Sequence, residues 1–583
     1  MTAISDFENM WSQDGVIKDD APGWAKYRKV MISEFPSPFR SKGSDPLARA
    51  VASAITKIDD LKQDADGPAF LGTNSALAYH YPEVKNVHLS KKMSSVDNVV
   101  SEVVKLFEGA PNWGSPLTMC NVIPQPNTAA IIASMLSQVF SPNILEGEYA
   151  WNVHKAELET AGMMANQIGW NPLSAGAIYT YGGGGCWLYG CKYGLTRVIP
   201  NSRKTGQRTE AKVICSQQSH FARLNSTDWT GIGTDSLVFV RTDPETNQMD
   251  VKHLESILQD LHKKNIPVAL VTCTMGTTDA SAFDPIAKVR ELIDQYPNPA
   301  GFGKAVLYAD SVVGWSWIMF KHYDFAKNPL GFSSDVLPCI RNNMEALKDI
   351  IHADAVGIDF HKVGWAPYAS SAFLYKNADE FEGLLQWKPD AYLQVRTPYN
   401  PMYHTLEVSR SSSGSLAGWA TLKYFGEEGF QAILGGILET KYFLYNKINA
   451  LNELVVVNPH DTGLITLYRV YPAGMDAKAQ FARELNDPAA RAELIKHNDL
   501  IQKIGDKLFE WFRQGKKING TPCTYTSFST GFRNTTYNAD GTDEEAVIYA
   551  LKAFPMNVFV TPQIMDHLLD CVRAAREEVL SVM

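Results

Sequence analysis

The chain has 583 residues, 45% hydrophobic, 20% charged and 11% aromatic, which excludes a disordered, collagen-like or coiled-coil polypeptide and supplies a large core. At roughly 150 residues per domain the length allows three or four units, or two or three if one is a large α/β unit. The net charge of −9, with no basic block, points away from nucleic acid and anionic membrane as partners and toward a small molecule.

Residues 1–125 are mixed in character and contain no repeat. The opening MTAISDFENMWSQDG has three acidic and no basic residues, unlike a secretory signal. No apolar run approaches the ~18 residues of a membrane span. The eight cysteines are dispersed and none form CxxC, so neither a disulfide framework nor a structural metal site is expected, and a reducing cytoplasm is. From about residue 126 apolar runs alternate with amphipathic helices. Strands are expected at 213–215, 236–241, 266–274, 305–310, 355–360 and 370–375. Asp250 is expected to cap a helix whose apolar face carries Val251, Leu254, Ile257, Leu258 and Leu261. Asp284-Pro285 is expected to open another, with proline in its first helical position. After the polar stretch SRSSSGS (409–415) a helix runs through Leu422, and helical patterns follow at 430–451, 478–514 and 562–580, with short strands in LVVVNP and LITLYRV. Buried strands alternating with helices imply an α/β fold: a mostly parallel sheet covered by helices, with ligands at the strands' carboxyl ends.

Chemistry-bearing residues fall just past these runs. In ADAVGIDFHKVGWAPY (353–368) His361 and Lys362 follow an apolar strand. A lysine buried there loses part of its preference for the ammonium form and becomes a usable nucleophile toward a carbonyl, although the pair also suits a solvated turn. Asp310 ends another strand, placed either to keep a heteroaromatic nitrogen protonated or to cap the next helix. His220, in ICSQQSHFARLN (214–225), offers a flat ring for stacking or for packing. The glycines of YTYGGGGCWLYG (179–190) allow an anion to approach the backbone at a helix N-terminus, though neither a P-loop nor GxGxxG is spelled. Thr274, Thr277 and Thr278 are donors suited to a phosphate or carboxylate, or ordinary turn residues. A phosphate cradle, a stacking histidine, a carboxylate for a ring nitrogen and a Schiff-base lysine are the parts that together hold pyridoxal 5'-phosphate.

The chain resembles the group II pyridoxal-phosphate-dependent amino acid decarboxylases, the family of aromatic amino acid, tyrosine, glutamate and related decarboxylases. Matching segments run from KAELETAGMMANQIGW (155–170) to LEVSRSSSG (406–414). The resemblance implies a fold-type I enzyme. Residues 1–125 would serve dimerisation and substrate lining, 126–412 would form the large cofactor domain, and 413–583 a smaller C-terminal α/β domain. It also implies a homodimer with shared active sites. The family's DxHK falls on Asp359–Lys362, making Lys362 the Schiff-base lysine and placing His361 by the phosphate. HVDAA falls on residues 308–312, giving Asp310 the pyridine nitrogen, and the stacking histidine falls on His220. GTTxxGAFDP matches residues 276–285, which adds Thr277 and the neighbouring Thr274 to the expected cofactor contacts, with backbone donors near Gly183 and Gly184. Tyr392, in KPDAYLQ (388–394), matches the mobile-loop tyrosine that returns a proton to Cα; related aldehyde-forming enzymes typically have phenylalanine there.

The implied reaction is decarboxylation of an L-amino acid to an amine and carbon dioxide, with Lys362, Tyr392 and His220 catalytic. Aromatic, acidic and branched substrates all stay open. Gln125 and Asn127, in a segment matching a substrate-lining loop (120–130), are neutral and mildly disfavour an acidic one. The chain departs from the family where SGGTxSN gives way to glycines followed by Cys186-Trp187, and where Tyr308 replaces the histidine of HVDAA. Between Asp310 and Lys362 lie 51 residues, which implies an insertion near the site. A carbon–carbon lyase of the sphingosine-phosphate-lyase type is the nearest alternative, with Arg410 holding an anionic substrate. A non-catalytic phosphate-binding protein is another.

Overall fold

A seven-stranded sheet organises the larger of two compact units in this computed structural model, which describes residues 22–38, 40–41, 43–73, 84–387, 396–458 and 462–582. Its strands are β1 (Gly176–Thr180), β2 (Lys212–Ser216), β3 (Leu237–Val240), β4 (Val268–Thr274), β5 (Val306–Asp310), β6 (Ala355–Asp359) and β7 (Ser371–Tyr375). They lie in the order β1-β7-β6-β5-β4-β2-β3. Neighbours from β3 through β6 are parallel, and β7 runs antiparallel to both β6 and β1. The expected mostly parallel α/β sheet is observed. Strands β4 to β7 are buried at every residue, which is why they read as unbroken apolar runs rather than as alternation.

Glycine lets the helix Gly183–Val198 lie close against this sheet. A Cβ on Gly194 would stand 2.5 Å from the Ala269 carbonyl oxygen. One on Gly190 would come 3.3 Å from the Tyr308 ring, and one on Gly357 2.2 Å from the Tyr308 hydroxyl. Tyr308 therefore occupies a slot between helix and strand that two glycines leave open. Asp250 caps the helix Val251–Lys263 through bonds from the Lys252 and His253 N–H groups, as its sequence suggests. The expectation for Asp284-Pro285 needs correction. The helix begins at Ile286, one residue after the proline, and the Asp284 carboxylate instead accepts the N–H groups of Thr274 (2.7 Å) and Met249 (2.8 Å). Burial pushes that carboxyl up to about 7, against the pull of those two bonds.

The stretch between Asp310 and Lys362 folds into the helix Val336–Leu347, packed against a 37-residue helix, Ser413–Asn449. Ser333 bonds both oxygens of Glu439 there. The long helix breaks at Gly426, where φ is +54°, so the separate helical patterns of the sequence become one bent element. A second, antiparallel sheet is built from β8 (Leu454–Val456) and β9 (Thr466–Val470), then β12 (Ser527–Asn534) and β13 (Val547–Ala553), in the order β12-β13-β9-β8. In the chain, a small ribbon of β10 (Lys517–Ile518) and β11 (Thr521–Pro522) lies between β9 and β12 of this sheet. Leu500, Ile504, Leu568 and Val572 from two helices pack in its core. The smaller unit, through Asn112 with Arg513–Lys516, carries the helices Gly23–Glu34, Pro46–Asp59 and Val96–Lys105. Asp45 and Ser95 cap the last two, and Lys57 joins them through Asp97. Among the described residues no helix is long and apolar enough to cross a membrane.

Candidate active site

The carboxyl ends of β4, β5 and β6 converge on one edge of the sheet, where Thr274, Asp310 and Asp359 are the last strand residues. Register places Thr274 beside Asp310, and Asp310 beside Gly357. Lys362 follows β6 by three residues, and its Nζ lies 2.9 Å from Asp359 Oδ2. The Ser371 hydroxyl on β7 donates to the other Asp359 oxygen at 2.6 Å, and the Trp315 indole N–H holds the Asp359 carbonyl at 3.1 Å. This reverses one expectation drawn from the sequence. Burial does push the Lys362 ammonium down, but Asp359 more than offsets it, so the group stands above its ordinary value and is an ammonium at neutral pH.

Asp310 is buried and receives the Trp187 indole N–H on Oδ2 at 2.7 Å; its Oδ1 has no hydrogen-bond partner. Burial pushes its carboxyl up to about 6, while the Trp187 bond and the nearby Lys362 ammonium pull it back. Gly182, at φ +140°, turns the chain into the helix Gly183–Val198. The Gly183 and Gly184 N–H groups open that helix and so have no helical acceptor. A Cβ on Gly184 would meet open space, whereas one on Gly183 would come 3.2 Å from Asp359 Oδ2. Cys186, where a hydroxyl would be expected, is fully buried, and burial pushes its thiol well up.

His220 accepts the Ala222 N–H on Nδ1 at 3.2 Å. Burial first, then the Lys362 ammonium, lower its imidazole to about 4, so a neutral ring lies on this edge. His361 is buried with Nδ1 3.1 Å from the Ser370 carbonyl and Nε2 3.5 Å from Asp359 Oδ2; burial lowers it too. The Thr274 hydroxyl is buried without a partner, and that of Thr277 accepts the Ala282 N–H at 3.0 Å, closing its own turn. Tyr392 lies outside the described residues. The residues present fit pyridoxal phosphate. A desolvated carboxylate oxygen lacking a donor suits a protonated ring nitrogen, and free N–H groups at an open helix start suit its phosphate.

One other expectation is corrected. Arg410 is not available to an anionic substrate, because its guanidinium is buried against Glu157 in a two-pronged pair and also donates to the Tyr179 carbonyl at 3.1 Å. Asn127 uses its amide within the fold. Its oxygen caps the helix Thr128–Phe140 through the Ala130 N–H, and its nitrogen donates to the Trp365 carbonyl and to Thr421. Sequence reading also missed the pairing of Asp359 with Lys362, though both sit in one motif. It missed Trp187 as a donor to Asp310, and Glu407, which receives the hydroxyls of Thr180 and Tyr189.

A family model described as the pyridoxal-dependent decarboxylase conserved domain matches residues 80–469. The chain is 27% identical over 302 residues to the L-2,4-diaminobutyrate decarboxylase of Acinetobacter baumannii, covering 51% of this chain and 52% of that protein. It is 24% identical over 275 residues to the L-tyrosine decarboxylase of Enterococcus faecalis, covering 44% of each. The chain thus spans about half the length of the curated relatives it matches. The fold is similar to the crystal structure of Oryza sativa TDC with PLP and tryptamine, with a TM-score of 0.72 and 14% identity over 93% of this chain and 99% of that one.

Proposed function

Because the chain belongs to the pyridoxal-dependent decarboxylase family, we propose that it uses pyridoxal phosphate to convert an L-amino acid to its amine and carbon dioxide. The observation that carries this reading is the unpartnered Asp310 Oδ1 on the same sheet edge as the Lys362–Asp359 pair. When bound, the cofactor supplies an electron sink for the pair left behind as the substrate's carboxylate departs. Lys362 would hold its aldehyde carbon, and Asp310 would keep the proton on its ring nitrogen. The neutral His220 ring would stack on it, and the Gly183 and Gly184 N–H groups would bind its phosphate, beside His361. Tyr392 would return a proton to the substrate's Cα. The two relatives are named for diaminobutyrate and for tyrosine, so the substrate class proposed is a free L-amino acid.

A screen of the standard amino acids and 2,4-diaminobutyrate for carbon dioxide release tests this. Release from one of them with its amine as co-product is expected, and release from none overturns the reading. Tyr392→Phe should lower amine formation by about 100-fold, the scale of a lost proton donor, with the cofactor still bound; amine at the normal rate would remove Tyr392 from the role.

The proposed architecture is a homodimer with a cofactor domain at 126–412, a smaller domain at 413–583 and an N-terminal segment of 125 residues. Ile132, Leu136 and Phe140 recur every four residues along the helix Thr128–Phe140 and are exposed, Phe140 by 81%. A stripe of that kind supports a partner copy. A sedimentation mass of one chain, 64.6 kDa, for the cofactor-loaded protein would refute the dimer. The eight cysteines are all buried, which supports a reducing, cytoplasmic location that cell fractionation checks.

A further inference from the structure

We propose that Trp187 is a positioning residue for Asp310: its indole N–H fixes one carboxylate oxygen and reserves the other, ionised, for the cofactor's ring nitrogen. This rests on the reading of Asp310 given above.

Trp187 is the fifth residue of the helix Gly183–Val198 and is 1% exposed. Its indole meets Tyr308 edge to face, with ring centroids 5.7 Å apart, and Tyr308 is itself wedged between Gly190 and Gly357. Packing therefore sets where the N–H points. It reaches Asp310 Oδ2 at 2.7 Å, within the range of charge-assisted bonds. An indole has one donor and no acceptor. It can bond an unprotonated carboxylate oxygen but cannot receive the O–H of a carboxylic acid. The bond thus favours the ionised form and occupies Oδ2, leaving Oδ1 without a protein partner.

The other groups facing Asp310 come from three elements. Lys362 and Asp359, at the end of β6, act in opposite directions; the Val312 N–H adds a weaker pull from just beyond β5. Tyr308 on β5 and Cys186 on the helix are both pushed well above their ordinary values by burial and stay neutral. Trp187 is the largest influence opposing the burial of Asp310. Losing its N–H raises the carboxyl, so at a given acidic pH less of Asp310 can face a protonated ring nitrogen.

The test is the dissociation constant of pyridoxal phosphate from the full cofactor-free chain, followed from acid to mildly alkaline pH. Trp187→Phe is compared with the wild type and with a chain carrying 3-benzothienylalanine at 187, which keeps the bicyclic shape and lacks the N–H. Both replacements should move the acid limb of binding to higher pH by about one unit, the scale of one charge-assisted hydrogen bond. Affinity on the alkaline side should change by less than about threefold, because there the carboxyl is ionised with or without the bond. If the benzothienyl chain keeps the wild-type limb, or loses affinity equally at every pH, Trp187 only packs and the proposal falls. Asp310→Asn separates the two readings. It should weaken binding and abolish this part of the pH dependence; binding like the wild type would overturn the assignment of Asp310 itself.

Discussion

Replacing Lys362 with alanine is expected to abolish amine formation, by roughly 10³-fold or more, and to end covalent retention of pyridoxal phosphate after borohydride treatment. Both effects follow from its place three residues beyond β6, on the same edge as Asp310 and the open helix start. The cost to the fold should be smaller. Removing one partner of a fully buried ion pair costs ~3–5 kcal/mol, but the Lys362 side chain is 20% exposed, and Asp359 keeps the Ser371 hydroxyl. A loss of about 1–2 kcal/mol is expected, read from the denaturation midpoint of the cofactor-free chain. Borohydride fixing the cofactor to a different lysine in the wild-type chain would show that the assignment is wrong.

The largest effect on stability is expected from Glu157→Ala. Glu157 and Arg410 are 1% and 3% exposed, and the same carboxylate also accepts the Tyr179 N–H at 2.8 Å and the Tyr399 hydroxyl at 3.0 Å. Alanine strands a buried guanidinium with only carbonyl partners, at a cost of ~3–5 kcal/mol. Burial alone would push the Glu157 carboxyl up, but Arg410 and the two further donors hold it below its ordinary value. Its folded-state pKa is therefore the depressed one. The contribution is fully present above the ordinary glutamate value of about 4.3 and disappears as pH falls through the folded-state value. The gap between wild type and Glu157→Ala should accordingly be wide at neutral pH and narrow in acid. A midpoint within about 0.5 kcal/mol of wild type at neutral pH would contradict the pair's role.

What the sequence makes legible is local. Continuous apolar runs announce β4 to β7 because both faces of those strands are covered, and Asp250 announces its helix because a cap acts within three residues. Asp310 and Lys362 can be found because the ends of such runs are where polar groups reach a ligand. The contacts that fix those groups are long-range. Trp187 and Asp310 are 123 positions apart, and Glu157 and Arg410 are 253 apart, so neither bond leaves a periodic trace. The charge of Lys362 is misjudged for another reason: burial and a neighbouring carboxylate oppose each other, and only the 2.9 Å distance decides between them. β12 is missed because its sequence, SFSTGFRN, is polar and half exposed, and it becomes a strand by pairing with β13.

The slot occupied by Tyr308 ties three positions into one unit of inheritance. With tyrosine at 308, residue 357 in the strand that leads to the lysine has no room for a side chain, and residue 190 has little. A histidine at 308 alone would leave a void where the phenol ring now meets Trp187, loosening the indole that bonds Asp310. Relatives with a smaller residue at 308 should therefore carry a bulkier one at 357 or 190. Tyrosine and the two glycines should be exchanged together or not at all.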